Sequence, residues 1–474
     1  MPSNHQSQAP SSLFSGLYSD IRDSLKGKAR DYTSGSIPRA IIVLSVPMVL
    51  EMFMQSIFEV VDIFFVGKLG ADAVAAVGLT ASLIILIFAV GLGIAMAAGA
   101  MVARRIGEND FEGAAKATGQ SFWASVVTAI PVGIIAILVA DDLLDLMGAS
   151  STVIDVGSGY TAILLGGNVT IILLFLFNAI FRAAGDPGVA MRALWLANIL
   201  NIILDPLFIF GIGPFPEMGV TGAAVATTLG RGIGVAYQIW ILFKGSSRVH
   251  IRREHMRLDL DILKRLLRIS GPGMLQYLVG TASWMAIMRL MSEFGSASLA
   301  GYTIAIRVVI FALLPSWGIS NAAATMVGQS LGAHKPERGE RAVWICTILN
   351  AFFLGILGAV FWFAAHPILA VFSTDPEVAR VGVRCLRILA LFFPIWAVGM
   401  VTVQAFNGAG DTKTPTWINL FAYWVLQIPL AWAFAWPLGM GEEGIFWAIA
   451  VAQLALAIIA AMAFRRGRWK TVVV

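Results

Sequence analysis

Residues 84–102 have the sequence IILIFAVGLGIAMAAGAMV, in which no side chain is polar. An α-helix rises 1.5 Å per residue, so this run and its apolar flanks are long enough to cross a hydrocarbon core about 30 Å thick. A second run of the same kind occupies residues 343–365. Such stretches recur along the chain, and they predict a bundle of membrane-spanning helices.

The composition of the whole chain agrees with this prediction. Of the 474 residues, 58% are hydrophobic and 13% are charged, whereas soluble domains have about 25% charged residues. The net charge of +5 comes from basic residues at predicted helix ends, so it does not indicate nucleic-acid binding. The first 36 residues are polar, and no cleavable signal peptide is recognised in them. No metal, disulfide or nucleophile motif appears, and we expect no cofactor. Cys346 and Cys385 form no such motif. The histidines show no ligand spacing either, and we interpret them as loop residues: His250, His255, His334 and His366.

Apolar runs separated by Gly, Pro and charged residues predict an all-α membrane protein with twelve transmembrane helices in two pseudo-twofold-related lobes of six. The expected domains are an N-terminal tail (1–36), an N-lobe (37–243), a linker (244–268), a C-lobe (269–464) and a C-terminal tail (465–474). The predicted helices cover residues 40–67, 75–103, 117–140, 152–183, 188–212, 219–243, 270–292, 299–330, 342–365, 376–407, 413–436 and 443–464.

The charges in the predicted loops differ between the two sides of the membrane. One set of loops contains clusters of Lys and Arg, at residues 104–105, 244–268 and 335–341, and both tails belong to the same side. The alternate loops are mainly acidic. Because Lys and Arg favour the cytoplasmic side, we expect both termini in the cytoplasm and the protein in the plasma (inner) membrane.

The N-terminal tail contains a short amphipathic pattern. Phe14, Tyr18, Ile21 and Leu25 recur at helical spacing, with charged residues between them. The pattern predicts a helix that lies on the cytoplasmic membrane surface. A disordered tail is an equally good interpretation of the same residues.

The two halves of the chain align with a constant offset of 225 residues. An even number of helices per copy gives both copies the same orientation, related by an axis along the membrane normal. Many transporters are built from such repeats, with a substrate site between the halves. A receptor or a membrane-embedded enzyme has no comparable reason to be duplicated, so the repeat favours a transporter. The corresponding residues are Pro47 and Pro272, Gly107 and Gly332, Gly185-Asp186 and Gly410-Asp411, and Gly219 and Gly444.

Helix 1 carries four polar residues within its apolar sequence. At 100° per residue, Glu51, Gln55 and Asp62 fall within about 20° of one line along the helix, and Glu59 is about 60° away. Ionisable groups inside a membrane are costly and usually face a protein interior or an aqueous cavity. One stripe of helix 1 is therefore expected to face something other than lipid.

Helices 5 and 6 bring further polar residues to a similar depth. Asn201 and Asp205 are four residues apart and share a face of helix 5. Asp62 and Asp205 lie about 9 Å, and Thr227 about 12 Å, beneath the outer surface. Oxygen ligands at one depth suit Na⁺, and a desolvated carboxylate suits H⁺. The expected site for a coupling ion therefore consists of Asp62, Asn201, Asp205 and Thr227.

The second half of the chain lacks these carboxylates. At the offset of 225, the positions of Asp62 and Asp205 hold Ile287 and Leu430, whereas residues that served only the shared fold would be expected in both copies. Structural alternatives stay open. An Asp before a Pro can cap or kink a helix, and either glutamate of helix 1 could pair with a polar group across the bundle.

Several motifs resemble the multidrug and toxic compound extrusion (MATE) family. The resemblance covers nearly the whole chain from residue 37 onward, and the motifs are specific when they are taken together. They are Asn201-Ile-Ile-Leu-Asp-Pro206, Gly222-Ala-Ala-Val-Ala-Thr227, Gly67-Lys-Leu-Gly70 shortly after Asp62, and Gly410-Asp411-Thr-Lys-Thr-Pro415.

This resemblance implies roles for individual residues. The four expected ion ligands would correspond to the N-lobe cation cluster of the archaeal and DinF-like branch, and Pro47 to the hinge at which helix 1 bends. The chain departs from the NorM branch, which has acidic cation ligands in the C-lobe, because helices 7, 10 and 12 contain no acid at mid-membrane depth. Arg289 and Glu293, one turn apart in helix 7, are expected to form a local pair.

The resemblance also implies a function. Such a protein would export organic, often cationic, drugs or metabolites in exchange for H⁺ or Na⁺ by alternating access, as a monomer in the bilayer. The alternative is a flippase for lipid-linked precursors from the same superfamily, which typically has more helices. The expected substrate cavity is lined by Glu51, Gln55, Glu59, Met48, Met52 and Asn198.

Overall fold

A computed structural model describes residues 10–27, 30–245 and 247–474, with the backbone alone for residues 10–15. The described chain is helical almost throughout and contains no β-strand, as expected where lipid forces each segment to satisfy its own backbone hydrogen bonds. The helices are α1 (Pro10–Leu25), α2 (Ile37–Gly67), α3 (Ala71–Gly107), α4 (Phe111–Leu138), α5 (Ala140–Leu146), α6 (Ser151–Gly166), α7 (Asn168–Ala184), α8 (Pro187–Phe210), α9 (Val220–Lys244), α10 (Leu260–Ser292), α11 (Ser296–Gly332), α12 (Pro336–Ala370), α13 (Pro376–Ala390), α14 (Phe393–Ala409), α15 (Lys413–Leu420), α16 (Ile428–Ala435) and α17 (Glu442–Arg465), with a π-helix at Phe421–Gln427 between α15 and α16.

Each of the twelve predicted spans has a helical counterpart, which confirms the all-α membrane fold. Eight spans are long and apolar enough to cross a membrane, and two more are bent pairs, α6 with α7 at 41° and α13 with α14 at 61°. The remaining two are α9, which contains Arg231, and α10, whose central part contains Gly, Pro, Ser and Gln residues that lower its hydropathy. The bends lie at Gly167 and just before Pro394, where the sequence had predicted continuous helices.

The helices of the first half recur in the second half. α3 and α11 begin at Ala71 and Ser296, and α4 and α12 begin at Phe111 and Pro336. Both differences equal 225, the offset that the sequence predicts. The structure thus consists of two six-helix units, each with the same order of long and bent spans.

The offset changes before the last helix of each half, which corrects the predicted pairing of Gly219 with Gly444. Gly219 (φ 56°, ψ −137°) and Gly441 (φ 59°, ψ −142°) have matching backbone angles and directly precede α9 and α17. The offset at this point is therefore 441 − 219 = 222. Thr227 then corresponds to Ile449, so this position still carries no oxygen ligand in the second half.

The two halves approach each other most closely at one end of the bundle. We call this end, where α2 begins and α17 ends, the basic face, and the other end the opposite face. Gly107 of α3 lies so near α11 that a Cβ atom would stand 2.1 Å from the carbonyl oxygen of Gln329. The Gln329 side chain also donates a hydrogen bond to the carbonyl of Ala183 (2.8 Å). Nearer mid-membrane, Gly318 of α11 packs against the α2 backbone at Met48.

The N-terminal tail contains the predicted helix, α1. Its inner side is buried against protein, since Asp20 and Ser24 are 8% and 1% exposed, while Tyr18 is largely exposed. The side chain of Phe14 lies outside the described residues. The helix is therefore a packed element of the protein, and its contact with the membrane surface remains a prediction.

Candidate functional site

Three of the four expected ion ligands form one hydrogen-bonded group between α8 and α9. Asn201 and Asp205 are one turn apart on the buried side of α8, and Thr227 faces them from α9. The Asn201 Nδ2 atom donates to Asp205 Oδ1 (3.2 Å) and to Thr227 Oγ1 (2.9 Å). Asp205 is completely buried and Asn201 is 2% exposed. The spacing of four residues thus places an amide and a carboxylate side by side, as the sequence predicts.

Two oxygen atoms of this group are left without a partner. Asp205 Oδ2 and Asn201 Oδ1 are both buried, and neither has a hydrogen-bond donor among the described residues. Asp62, the fourth expected ligand, comes from α2 and interacts electrostatically with Asp205. Unsatisfied buried acceptors are costly, so the site is suited to receive a cation or a proton. Its oxygen atoms match the ligands that hard cations prefer.

Two further residues, which are not among the four sequence-predicted ligands, belong to this group. Tyr160 of α6 is buried and interacts electrostatically with Asp62 and Asp205. Arg231 of α9 interacts electrostatically with Tyr160, Asp62 and Glu59. A signal for Arg231 was present, because a single arginine in the interior of a membrane helix is expensive and therefore functionally suspect. Tyr160 gives no such signal in sequence, since a lone tyrosine is ordinary in a membrane helix.

The polar stripe of α2 continues from this site toward the basic face. Gln55 donates to Glu59 (3.2 Å), and Asn198 of α8 donates to Gln55 (3.5 Å). Met52 is half-buried. Met48 is completely buried in the hydrophobic cluster that α2 shares with α11 and α12, so in this conformation it packs between the halves and lines no open space.

Glu51 pairs with a polar group across the bundle, which is one of the structural alternatives for the glutamates of helix 1. The Arg182 Nη1 atom lies 2.7 Å from Glu51 Oε1, and the two side chains are 17% and 1% exposed. Arg182 lies in the last turn of α7 and points into the bundle. Its carbonyl accepts a hydrogen bond from Thr325 of the second half (3.3 Å). Glu51 is thus half of a buried ion pair beside the boundary between the halves.

The second half differs from the first in its buried polar groups. Its hydrogen bonds in the corresponding region join neutral side chains, such as Ser316 with Asn350 (2.8 Å). The expected pair of Arg289 with Glu293 is confirmed at 2.5 Å, and both side chains are largely exposed. The described part of this half therefore resembles the first half in fold without repeating its buried carboxylates.

The histidine interpretation needs two corrections. His366 lies within α12, and His255 is 1% exposed in a short 3₁₀-helix with Glu112 at 2.5 Å and Glu254 at 3.9 Å. These three residues could face one metal ion. However, His255 Nδ1 accepts the backbone N–H of Arg252 (3.0 Å), so the neutral ring carries its proton on Nε2 and donates it to Glu112. This arrangement fastens the linker to α4 and leaves no ring nitrogen free to bind a metal.

Comparisons with known proteins agree with this architecture. The model of the MatE family matches residues 47–207 and 272–433, which cover more than half of the chain in two stretches. A "Probable multidrug resistance protein NorM" of Thermotoga maritima is 27% identical over 438 residues, 92% of this chain and 93% of that protein. An "FAD transporter" of Shewanella oneidensis is 25% identical over 432 residues, 90% of this chain and 94% of that protein.

Solved structures agree as well. A MOP superfamily transporter from Pyrococcus furiosus has a TM-score of 0.87 at 27% identity, covering 93% of this chain and 98% of the other. An outward-facing MATE family transporter gives the same values. The first matched stretch contains Asp62, Asn201 and Asp205, and Thr227 of α9 lies beyond its end at residue 207. The chain therefore belongs to the MatE family of multidrug efflux transporters, and it is not an enzyme.

Proposed function

We propose that this transporter is an antiporter that exports small organic molecules by alternating access and takes up H⁺ or Na⁺ at Asp62, Asn201, Asp205 and Thr227. The observation that carries the proposal is the pair of unpartnered buried oxygens, Asp205 Oδ2 and Asn201 Oδ1. The fold is duplicated but the carboxylates are not, so the shared architecture does not require them. Tyr160 completes the group from α6.

Arg231 supplies a positive charge to the site when no ion is bound. When no ion is bound, its guanidinium group balances the carboxylates of Asp62 and Glu59, with which it interacts electrostatically. An arriving H⁺ or Na⁺ replaces that balance and changes which contacts α2 makes with α9. A ligand shifts a conformational equilibrium only by its difference in affinity between the states, and this exchange of partners provides such a difference. Pro47, which interrupts the backbone hydrogen bonds of α2, is the expected hinge for the movement.

The ion gradient supplies enough free energy for export. A tenfold gradient is worth about 1.4 kcal/mol, and one charge that crosses 100 mV about 2.3 kcal/mol. The exchange of one ion for one monovalent organic cation cancels the electrical part, so a cationic substrate would be driven by the chemical gradient alone. We place the basic face in the cytoplasm on the strength of its Lys and Arg content.

The acidic stripe of α2 favours cationic or neutral substrates. Glu59 and Gln55 are only partly buried and share one hydrogen-bonded row with Asn198. This row, with Met52 and the exposed Phe53 beside it, is the proposed substrate wall. Flexible apolar side chains next to a few polar groups suit ligands of varied shape. Glu51, one turn along α2 from Gln55, is already neutralised by Arg182.

The first experiment measures efflux of a fluorescent cationic dye from proteoliposomes under imposed H⁺ or Na⁺ gradients. Asp62→Asn and Asp205→Asn are expected to abolish ion-driven efflux in folded protein. The asparagine amide is uncharged, so it has no negative charge that H⁺ or Na⁺ could neutralise. Asp155→Asn is the matched control, since Asp155 is exposed at the start of α6. Efflux that stays gradient-driven in both variants would reduce these carboxylates to structural residues and overturn the coupling site.

A further inference from the structure

The proline in α2 leaves one backbone carbonyl without its helical hydrogen-bond donor, and another part of the chain supplies a donor in its place. Pro47 has no N–H, so the carbonyl of Val43, four residues earlier, loses its helical donor. The Ser24 hydroxyl of α1 donates to this oxygen at 3.0 Å. Ser24 is 1% exposed and Val43 is also 1% exposed. The N-terminal helix thus completes the hydrogen bonding of the expected hinge.

The segment around Ser24 is fixed to the first half of the molecule. A Cβ atom on Gly188 of α8 would stand 1.9 Å from the Ser24 carbonyl oxygen, so the two backbones are in contact. Arg192 donates to the carbonyl of Lys26 at 2.9 Å. Asp20 pairs with Arg30 (2.6 Å) and with Arg39 at the start of α2. The hydrogen bond from Arg30 holds the pKa of Asp20 below its ordinary value, so this pair is ionised at neutral pH.

The residues that follow are fixed to the second half. Arg338 of α12 donates hydrogen bonds to three backbone carbonyls of this segment. Its Nε atom donates to Tyr32 (2.9 Å), its Nη2 atom to Ser34 (2.6 Å) and its Nη1 atom to Gly35 (2.8 Å). Lys335 donates to the carbonyl of Thr33 at 3.0 Å. Tyr32 is 3% exposed in the cluster that α2 shares with α11 and α12. Four successive carbonyls therefore bind one basic turn of the opposite half.

We propose that residues 20–27 and 30–35 form a clasp that holds the two halves together at the basic face and positions α2 at its proline. The clasp joins α8 and α2 on one side to α12 on the other, so the basic face can open only when the Arg338 end is released. Ser24 is the positioning residue, because it alone of these groups contacts the carbonyl freed by Pro47. The inference rests on the alternating access of the proposed function, and it adds a device that sets how often the basic face opens.

The test measures the distance between two spin labels across the basic face, in lipid nanodiscs without substrate or ion gradient. Lys116→Cys in α4 and Glu337→Cys in α12 carry the labels, because both side chains are exposed. The native Cys346 and Cys385 are buried and are left in place. The labels are then combined with Ser24→Ala or with Arg338→Gln.

We expect the population with the long distance to rise about fivefold in Ser24→Ala, the change that loss of one hydrogen bond of about 1 kcal/mol produces. Arg338→Gln, which removes three hydrogen bonds, should raise it further. Ser24→Thr keeps the hydroxyl and should restore the wild-type distribution. Arg341→Gln, an exposed arginine one turn along α12, is the matched control and should change nothing.

The outcomes separate this inference from the proposed function. An unchanged distance distribution in folded Ser24→Ala and Arg338→Gln overturns the clasp. Opening in Arg338→Gln alone overturns the positioning role of Ser24. The measurement needs no transported ion, so loss of the coupling site in the efflux assay would leave the distance result standing. A shift in both variants with wild-type behaviour of Arg341→Gln supports the clasp.

Discussion

At the scale of single residues, sequence patterns identify groups better than they identify their partners. Asn201 and Asp205 could be placed side by side because a helix fixes residues four apart on one face. Arg182 could not be assigned to Glu51, since their contact joins α2 to the far end of α7 and depends on tertiary packing. Arg231 illustrates the same limit, because its charge was visible in the sequence while its neighbours were not.

One residue-scale prediction concerns the two Gly-Asp turns of the repeat. Asp411 accepts hydrogen bonds from the backbone (3.1 Å) and hydroxyl (2.6 Å) of Thr414. The first half has Val189 at the corresponding position, so the buried Asp186 carboxylate lacks the hydroxyl donor that Asp411 has, and the backbone N–H of Val189 only partly offsets the effect of its burial. Burial raises the pKa of Asp186 from 3.8 to about 7. The turn is therefore expected to respond to pH in the neutral range.

The direction in which stability changes with pH follows from the difference in proton binding between the folded and unfolded protein. Between pH 3.8 and about 7 the folded protein keeps the Asp186 proton that the unfolded chain releases, so stability falls as pH rises through this window, by at most about 1.4 kcal/mol per pH unit. Asp186→Asn should remove this slope and should be more stable than wild type at pH 8. Thermal unfolding of wild type, Asp186→Asn and the control Asp411→Asn from pH 5 to 8 checks it. Parallel curves for wild type and Asp186→Asn would contradict the assignment.

At the scale of helices, hydrophobicity predicts where the spans lie because the bilayer sets their length and their apolar character. It does not predict their internal breaks. The 41° and 61° bends lie at Gly167 and just before Pro394, and such residues permit a kink without requiring one; the π-helix at Phe421–Gln427 has no comparable signal in the sequence. The contact of α1 with α8 is hidden for the same reason, since it depends on the bare backbone of Gly188.

The closest approach of α3 to α11 gives a prediction at this scale. A Cβ atom on Gly107 would stand 2.1 Å from the Gln329 carbonyl oxygen, whereas one on Gly78 of the same helix meets nothing within 4 Å. Gly107→Ala should destabilise the protein by about 1–3 kcal/mol, because the halves must separate. Gly78→Ala should be neutral or stabilising by up to about 1 kcal/mol, since Ala is the better helix former. Melting in the same detergent checks both, and equal melting temperatures would show that the contact is not tight.

At the scale of the whole molecule, the repeat was visible in sequence because glycines and prolines at turns and close contacts recur at a fixed offset. The offset of 222 at the last helix was not visible, because the correspondence of Gly222 with Gly444 depends on their surroundings. A Cβ atom on Gly222 would strike the backbone of the preceding helix at Phe208, and one on Gly444 would do the same at Phe434. Duplication thus conserves close contacts, while the buried charges are free to differ between halves. This asymmetry explains how one half can hold the proposed ion site while the other provides the frame against which it moves.

Orientation in the membrane is a property of the whole chain, and it carries the last prediction. The basic face has Lys and Arg clusters at residues 104–105, 244–268 and 335–341, and the opposite face has mainly acidic loops. Because basic loops stay in the cytoplasm, a membrane-impermeant maleimide added to intact cells should label Asp155→Cys at the opposite face and spare Glu337→Cys at the basic face. Permeabilised cells should show labelling of both, since both side chains are exposed and the native cysteines are buried. Labelling of Glu337→Cys alone in intact cells would invert the topology, and with it the direction in which an ion entering at Asp62 could drive export.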